Sequence, residues 1–369
     1  MRVALVHDWL INMGGAERVL EELARLYPEA PIYVGVVQRD NLSPVLRERT
    51  IIPSFVQNWP RATRWYNRYL PLLAYGVEQW DLSSFDVVIS SSAAVAKGVL
   101  TRAEAFHLAY VHTPMRYAWD LYPAYREQEA HGMTRRIMGP VFHFLRLWDR
   151  LSADRADQLV ANSTTVAARI RKHYRRDAVV VPPPVDVDGF RVQYAPGRHY
   201  LVLSRLVRYK RFDLAVEAAN RLKVPLVVAG DGPERKALER LAGPTVQFLG
   251  RVDEATRVRL IEEAVALIFP GEEDFGIVPV EVQAAGRPVI AYERGGVSDT
   301  VVRHETGMLF AEQSVDAVVD AIVRSRAMVW DPDRIRQNSE RFRPEFFAQA
   351  ISRLVEQGVA TRRDGLANP

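Results

Sequence analysis

The sequence contains no cysteine. Disulfides, thiolate catalysis and Cys-ligated zinc are therefore excluded. Long apolar runs are also missing: none approaches the roughly 18 residues needed to cross a bilayer. Lysine is scarce, at five of the 49 basic residues. There is no basic run with interleaved aromatics of the RNA-binding kind, so nucleic acid is not an expected partner. No Gly-x-Gly-x-x-Gly fingerprint occurs, which argues against a nicotinamide or flavin enzyme. Met1-Arg-Val-Ala-Leu-Val-His7 reads directly as a strand with no signal peptide, and the expectation is a cytoplasmic protein.

What is present fits a globular α/β protein. The 369 residues allow two ordinary domains, and 48% hydrophobic with 25% charged residues is an ordinary soluble balance. The net charge of +4 is unevenly spread. Residues 1–180 hold 23 Lys and Arg against 18 Asp and Glu; the remainder holds 26 against 27. A basic first half suits an anionic surface or acceptor.

Short apolar runs alternate with helical stretches. Strands are expected at Arg2–His7, Pro31–Val36, Asp86–Ser90, His107–Val111, Gln158–Asn162 and Ala178–Val181. Between the first two, Ala16–Leu26 has a helical period. Pro182-Pro-Pro-Val-Asp186 can continue neither a strand nor a helix. The pattern then restarts at Tyr200–Leu203, Pro225–Gly230, Val246–Gly250, Val265–Pro270 and Pro288–Tyr292. Such alternation implies parallel sheets covered on both faces. The expected organisation is a doubly wound domain over 1–181, a proline-rich hinge over 182–198 and a second such domain over 199–343. A helical stretch over 344–369 has an apolar stripe of Phe346, Phe347, Ala350, Ile351 and Leu354 and could cross back to the first domain.

In such folds ligands bind beyond the carboxyl ends of the strands. The candidate residues lie at those ends: His7, Gly14 and Gly15, His112, Arg205, Gly230-Asp231-Gly232 and the Glu273 loop. They come from both halves, so a cleft between domains is expected.

Glu273-Asp-Phe-Gly-Ile-Val-Pro-Val-Glu281 is the most informative segment. It reads as a loop after a strand, then a helix opening near Gly276. A helix N-terminus carries unpaired N–H groups and suits a phosphate. Carboxylates on either side of an anion site suit a ligand with hydroxyls on both sides of a phosphate, as in a nucleotide sugar. Arg205 and Lys210 sit on another strand–helix loop and could grip a diphosphate as charge develops on it. A solvated basic loop would read the same way, and the pairing with the Glu273–Glu281 segment favours function.

Gly14 and Gly15 permit close backbone approach at a helix start, although any βα turn can use such a pair. His112 stands just past a strand, with Thr113-Pro114 holding it there. His7 has the same position, and Asp8 could cap a turn. Asp186/Asp188 and Asp331/Asp333 mimic paired metal-binding carboxylates but sit in a proline hinge and before a helix, and no metal is expected. Trp59–Leu70 and Arg135–Arg150, the latter with Ile137, Met138, Val141, Phe142, Leu145 and Trp148, are basic and aromatic. Either a membrane-surface helix or a core helix with a cationic outer face would look like this.

Taken together, Glu-x7-Glu after a strand, Arg-x4-Lys after an earlier strand, Gly-Gly in the first loop and a strand-end His resemble the retaining family 4 glycosyltransferases of the GT-B fold. The resemblance spans nearly the whole chain. His7-Asp-Trp-Leu10, Gly14-Gly-Ala-Glu-Arg18, Ser90-Ser-Ser92, Ala96-Lys-Gly98, His112–Trp119, Ala161-Asn-Ser163 and Pro182–Asp186 are similar to bacterial O-antigen and exopolysaccharide mannosyltransferases.

The resemblance implies two Rossmann-like domains facing a cleft. It implies transfer of mannose from GDP-mannose to a lipid-linked saccharide without cofactor or metal, at the inner face of the plasma membrane with peripheral contact to anionic lipid. A UDP-sugar or other donor, or a nucleotide-sugar epimerase, is the alternative. Arg205 and Lys210 would bind the diphosphate and Glu281 the ribose. Glu273 and the backbone of Phe275, Gly276 and Ile277 would hold the sugar. His112 would reach a sugar hydroxyl, Gly14 and Gly15 the phosphates or acceptor, and Arg251, Val252 and Asp253 the base. Lys97, Arg116 and Tyr117 are acceptor-side candidates. Ser204 stands where many relatives have glycine.

Overall fold

The structure is a computed structural model that describes residues 1–129 and 133–367, with side chains described throughout these except at 124–125, 128–129, 133–136 and 365–367. The chain forms two compact units: residues 1–184 with 347–369, and residues 185–346.

The first unit is built on β1 (Val3–His7), β2 (Ile32–Val34), β3 (Ile51–Pro53), β4 (Val87–Ser92), β5 (Phe106–Val111), β6 (Gln158–Ala161) and β7 (Val179–Val180). All neighbours pair parallel, in the order β3-β2-β1-β4-β5-β6-β7. Every residue of β1, β4 and β5 is buried. That is why they read as unbroken apolar runs: both faces of a parallel sheet are covered by helices. The helix Gly15–Leu26 covers one face through Val19, Leu20, Leu23 and Ala24.

The second unit repeats the plan with β8 (His199–Leu203), β9 (Leu226–Ala229), β10 (Val246–Gly250), β11 (Ala264–Phe269), β12 (Val289–Tyr292) and β13 (Gly307–Phe310). Their order is β10-β9-β8-β11-β12-β13, again all parallel. In each unit the strand order reverses once, between β1 and β4 and between β8 and β11. Connections leave in opposite directions at such a point and open a crevice at the carboxyl ends of the two strands.

Two strands were not anticipated from the sequence. β3 has three residues and ends at Pro53, and β13 has four and begins at Gly307. Both are too short for a period of two to stand out. The stretch after Pro184 is not a free linker, because Val185, Val187 and Phe190 are buried in the core of the second unit.

The closing helix, Pro344–Ala367, buries Phe347, Ile351 and Val355 in the same core cluster as β1 and β5. Those three positions are four apart and share one helix face. Phe346, expected on the stripe, is 54% exposed, because consecutive helical residues point about 100° apart. Gly358 continues the packed face; a Cβ there would lie 2.1 Å from the Phe106 ring.

Candidate active site

In the second unit the candidate residues gather at the carboxyl ends of β8 and β11. β8 ends at Leu203, and Ser204 and Arg205 lead into a single 3-10 turn, Arg208–Lys210, before the helix Phe212–Leu222. Lys210 is buried, and its Nζ lies 2.7 Å from Oε1 of Glu273. The same ammonium donates to the Ser204 hydroxyl. Ser204 thus has a definite role: with Glu273 it is a partner of the Lys210 ammonium. Arg205 is exposed, and its side chain makes no hydrogen bond or ion pair among the described residues.

The Glu273 loop is held by glycines. A Cβ on Gly271 would lie 2.6 Å from the Lys210 Cα, so only glycine lets this loop cross there. On the other side, Gly295 has φ +80° and a Cβ there would lie 2.2 Å from the Glu273 carbonyl oxygen. The Gly296 N–H donates to that oxygen at 2.8 Å. The sequence reading missed Gly295 and Gly296; an adjacent glycine pair just past a strand was the available signal.

Phe275 turns its ring into the core, edge-on to Phe342 at 5.5 Å. Its backbone and Gly276, with φ +87°, then open the helix Ile277–Ala284. Glu281 lies on that helix, 2% exposed, and accepts from Nη1 of Arg257 at 2.5 Å. Arg257 also sits over the Phe190 ring at 5.6 Å. No local pattern links Arg257 to Glu281, so this partner was not anticipated.

Arg251, Val252 and Asp253 form the turn after β10. Asp253 caps the helix Glu254–Glu262, and its carboxylate accepts from the Thr256 N–H at 2.8 Å. The hydrogen bonds from the Thr256 side chain and backbone lower its pKa. Its chemistry is thus partly committed to the helix, which weakens it as a reader of the base. Arg251 is exposed and unpaired among the described residues.

The discounted acidic pairs have protein partners. Asp188 bonds Arg336 and Arg343, Asp186 accepts from the Gly189 N–H, Asp331 caps the helix Pro332–Glu340 and Asp333 accepts from the Tyr194 hydroxyl.

In the first unit the crevice lies at the ends of β1 and β4. The register places His7 opposite Ser91. The Ser91 hydroxyl lies 3.1 Å from Nδ1 of His7 and 2.8 Å from Nε2 of His112, which follows β5. Asn162 donates to the His112 carbonyl at 3.0 Å and fixes its backbone. His112 keeps part of its surface open, yet burial pushes its pKa down to about 3, with His7 a second cause. It is therefore neutral near pH 7. Thr113, next in sequence, has a buried hydroxyl with no hydrogen-bond partner in the structure.

Gly14 is the N-cap of Gly15–Leu26, and its N–H donates to the Glu17 carboxylate at 3.0 Å. Gly14 and Gly15 are both exposed. Asp8 proves structural. Its carboxylate accepts the N–H groups of Ala93, Ala94, Val95 and Ala96 at 2.5, 3.0, 2.7 and 2.7 Å, filling the anion-binding concavity of the loop after β4.

Lys97 needs correction. It was expected on the acceptor side, but it is 2% exposed, ion-paired to the fully buried Asp149 and bonded to the Ala94 carbonyl. Asp149 also accepts from Trp119 Nε1 at 2.7 Å and from the Tyr174 hydroxyl. This closed network has no ammonium to spare for a ligand. Arg116 and Tyr117 are half-buried in the turn after β5, with the Tyr117 ring edge-on to Phe142 at 6.3 Å.

Comparison with known proteins matches this anatomy. Residues 13–188 match the family described as Glycosyltransferase Family 4, and residues 194–341 match Glycosyl transferases group 1. The chain is 34% identical over 186 residues to a GDP-mannose-dependent alpha-(1-6)-phosphatidylinositol monomannoside mannosyltransferase of Mycobacterium tuberculosis, covering 42% of this chain and 47% of that protein. It is 25% identical over 402 residues to the Homo sapiens alpha-1,3/1,6-mannosyltransferase ALG2, covering 94% and 93% of the two. The alignments with the first bacterial curated relatives span about half of their length. Among solved structures, Anabaena HepE in complex with UDP and glucose aligns with a TM-score of 0.71 at 17% identity, over 96% of this chain and 99% of that one. The chain carries a Glycosyltransferase Family 4 domain followed by a Glycosyl transferases group 1 domain, in the GT-B glycosyltransferase fold.

The buried histidines make the first unit sensitive to acid. His107 is 0% exposed, and burial lowers its pKa to about 4, partly offset by Asp157. Both His107 and His112 fall below the ordinary value of 6.5. The unfolded chain then binds protons that the folded one refuses, so their contribution is complete above 6.5 and is lost as pH falls toward the folded values. Thermal unfolding followed from pH 7.5 to 4.5 is expected to show a falling midpoint below about 6.5. A His107→Gln/His112→Gln variant is expected to show a shallower fall, and an equal slope in both proteins would contradict the assignment.

Proposed function

We propose that the protein is a retaining glycosyltransferase that moves a hexose, mannose from GDP-mannose, onto a lipid-linked saccharide in bacterial surface polysaccharide synthesis. The observation that carries this reading is the second unit's arrangement of Lys210, Glu273 and the uncommitted Arg205 around one strand-order reversal. An ammonium and a guanidinium beside a carboxylate suit a diphosphate joined to a polyol. The mannosyltransferase relatives favour mannose. HepE was solved with UDP, so a UDP-sugar donor is the second reading, and Asp253 as a helix cap does not decide between the bases.

In this account Arg205 and Lys210 take up charge as the diphosphate departs. Lys210 exchanges its contact with Glu273 for a phosphate oxygen, which frees Glu273 for the donor sugar. Glu281, held in place by Arg257, accepts from the ribose. The Phe275, Gly276 and Ile277 backbone lies against the sugar, and His112 contacts one of its hydroxyls. Gly14 and Gly15 allow close approach of the phosphates or acceptor, with Arg116 and Tyr117 on the acceptor side. The acceptor hydroxyl attacks from the face the diphosphate leaves, so the anomeric configuration is kept. Positioning and charge stabilisation supply the rate, with no metal and no protein general base.

The test is to supply GDP-mannose and a lipid-linked acceptor fraction and analyse the product. Mannose joined with retained configuration is expected; free mannose or an epimer formed without acceptor would favour the epimerase alternative. Arg205→Ala and Lys210→Ala are each expected to lower kcat about 10²–10³-fold with a smaller change in KM. A raised KM with unchanged kcat would contradict their action on the departing charge.

The acceptor's lipid implies a membrane surface. Among the described residues no helix is long and apolar enough to cross a membrane. The helix Met133–Ala153 nevertheless exposes Ile137, Phe144, Leu147 and Leu151, whose spacings of seven, three and four put them on one face. Arg146 and Arg150 lie on the same helix; the side chain of Arg135, named with it, lies outside those described. The Trp59–Leu70 segment has Trp65 between Arg61 and Arg68, whose guanidinium carbons lie 4.9 and 5.4 Å from the ring centroid. An apolar stripe with cations beside it suits the interface of an anionic bilayer. Co-sedimentation with phosphatidylglycerol vesicles is expected for the natural protein, with several-fold loss in Leu147→Glu/Leu151→Glu. Equal sedimentation of the two would remove this helix from the account.

A further inference from the structure

The Ser91 hydroxyl is fully buried between two imidazoles. A hydroxyl has one proton to give. If it donates to one ring, it must accept from the other. The two histidines are therefore not independent: at most one of them can present a bare nitrogen to the hydroxyl.

Three arrangements of two neutral rings satisfy both contacts. In one, His112 Nε2–H donates to Ser91 and Ser91 donates to a bare Nδ1 of His7, leaving the His7 proton on Nε2. In the second every proton is reversed, and in the third both rings donate to the two lone pairs of the hydroxyl; in each of these the His7 Nε2 lone pair is bare. The tie is broken by Glu17. Its Oε2 is held by the Gly14 N–H at 3.0 Å, and its Oε1 lies 3.9 Å from His7 Nε2. That is beyond hydrogen-bond length but close enough for sign to matter between side chains only 3% and 13% exposed. A carboxylate facing an N–H dipole is attractive, and facing a lone pair it is repulsive. The first arrangement wins.

We infer that Ser91 is a positioning residue that, with His7 and Glu17 behind it, holds His112 in its Nε2–H tautomer, so that His112 Nδ1 is a bare acceptor for a ligand hydroxyl. The inference rests on the proposed function only for calling that hydroxyl a sugar's. Nδ1 of His112 makes no hydrogen bond among the described residues, and the depressed pKa keeps the ring from answering with a second proton. The site would then accept a ligand group that donates a hydrogen bond and disfavour one that can only accept. The starting point of the relay, Glu17, also caps the helix at Gly14 and Gly15, so one carboxylate orients both the first loop and His112.

Imidazole ¹⁵N NMR of the histidine-labelled full chain tests this without any substrate, so its outcome is separate from whether the protein transfers sugar. His112 is assigned from the signals lost in His112→Gln. In the natural protein both His7 and His112 are expected wholly protonated at Nε2 and bare at Nδ1. In Ser91→Ala the His112 signals are expected to move toward averaged positions as the second tautomer becomes populated. A His112 proton on Nδ1 in the natural protein would overturn the inference, even if the variant failed to fold. Unchanged His112 signals in a folded Ser91→Ala would overturn it too.

Discussion

Parallel strands buried on both faces restrict where a chain can place polar chemistry. Along β1, β4, β5 and β8 every side chain is enclosed, and a polar group there must find its partner inside the protein. At the carboxyl ends the enclosure stops, and where the strand order reverses the covering connections diverge. Both units have their polar clusters at that point. His7 and Ser91 lie at the carboxyl ends of β1 and β4 and His112 follows β5, while Ser204, Lys210 and Glu273 stand past β8 and β11. The same constraint acts twice, on two sequences with different residues.

The two clusters differ in electrical character. In the second unit the pair is ionic and only partly enclosed, with side chains of Lys210 and Glu273 11% and 22% exposed. A charge held there is costly unless matched, so the lysine has a carboxylate and a hydroxyl around it. In the first unit direction is carried by hydrogen bonds through the Ser91 hydroxyl. Around the second unit's cluster, a backbone approaches another too closely for any side chain. Gly295 lies against Glu273 and Gly271 against Lys210, so the loop that carries the ion pair can run there only with glycine at both positions.

Much of this was legible in the sequence because its cause is local. Unbroken apolar runs marked the parallel strands, and motif spacing placed Lys210 and Glu273 on strand-end loops. The strands β3 and β13 were illegible because three or four residues cannot display a period. Pairings set by register were also hidden. Ser91 faces His7 across 84 positions of sequence, and nothing near either residue announces the other. Arg257 finds Glu281 in the same way, 24 positions on. Lys97 was misread for a related reason. A lysine between alanine and glycine looks like surface, and its burial depends on Asp149, 52 positions away.

Recognition of a nucleoside diphosphate by Arg205, Lys210 and the Glu273–Glu281 segment is the central claim, and direct titration tests it most simply. The purified protein is titrated with GDP, UDP, ADP and dTDP, with and without EDTA. The account predicts selective GDP binding that survives EDTA and is lost when Lys210 is replaced by alanine. Preference for UDP would retain the site and overturn the donor, whereas binding of none of the four would contradict the site itself.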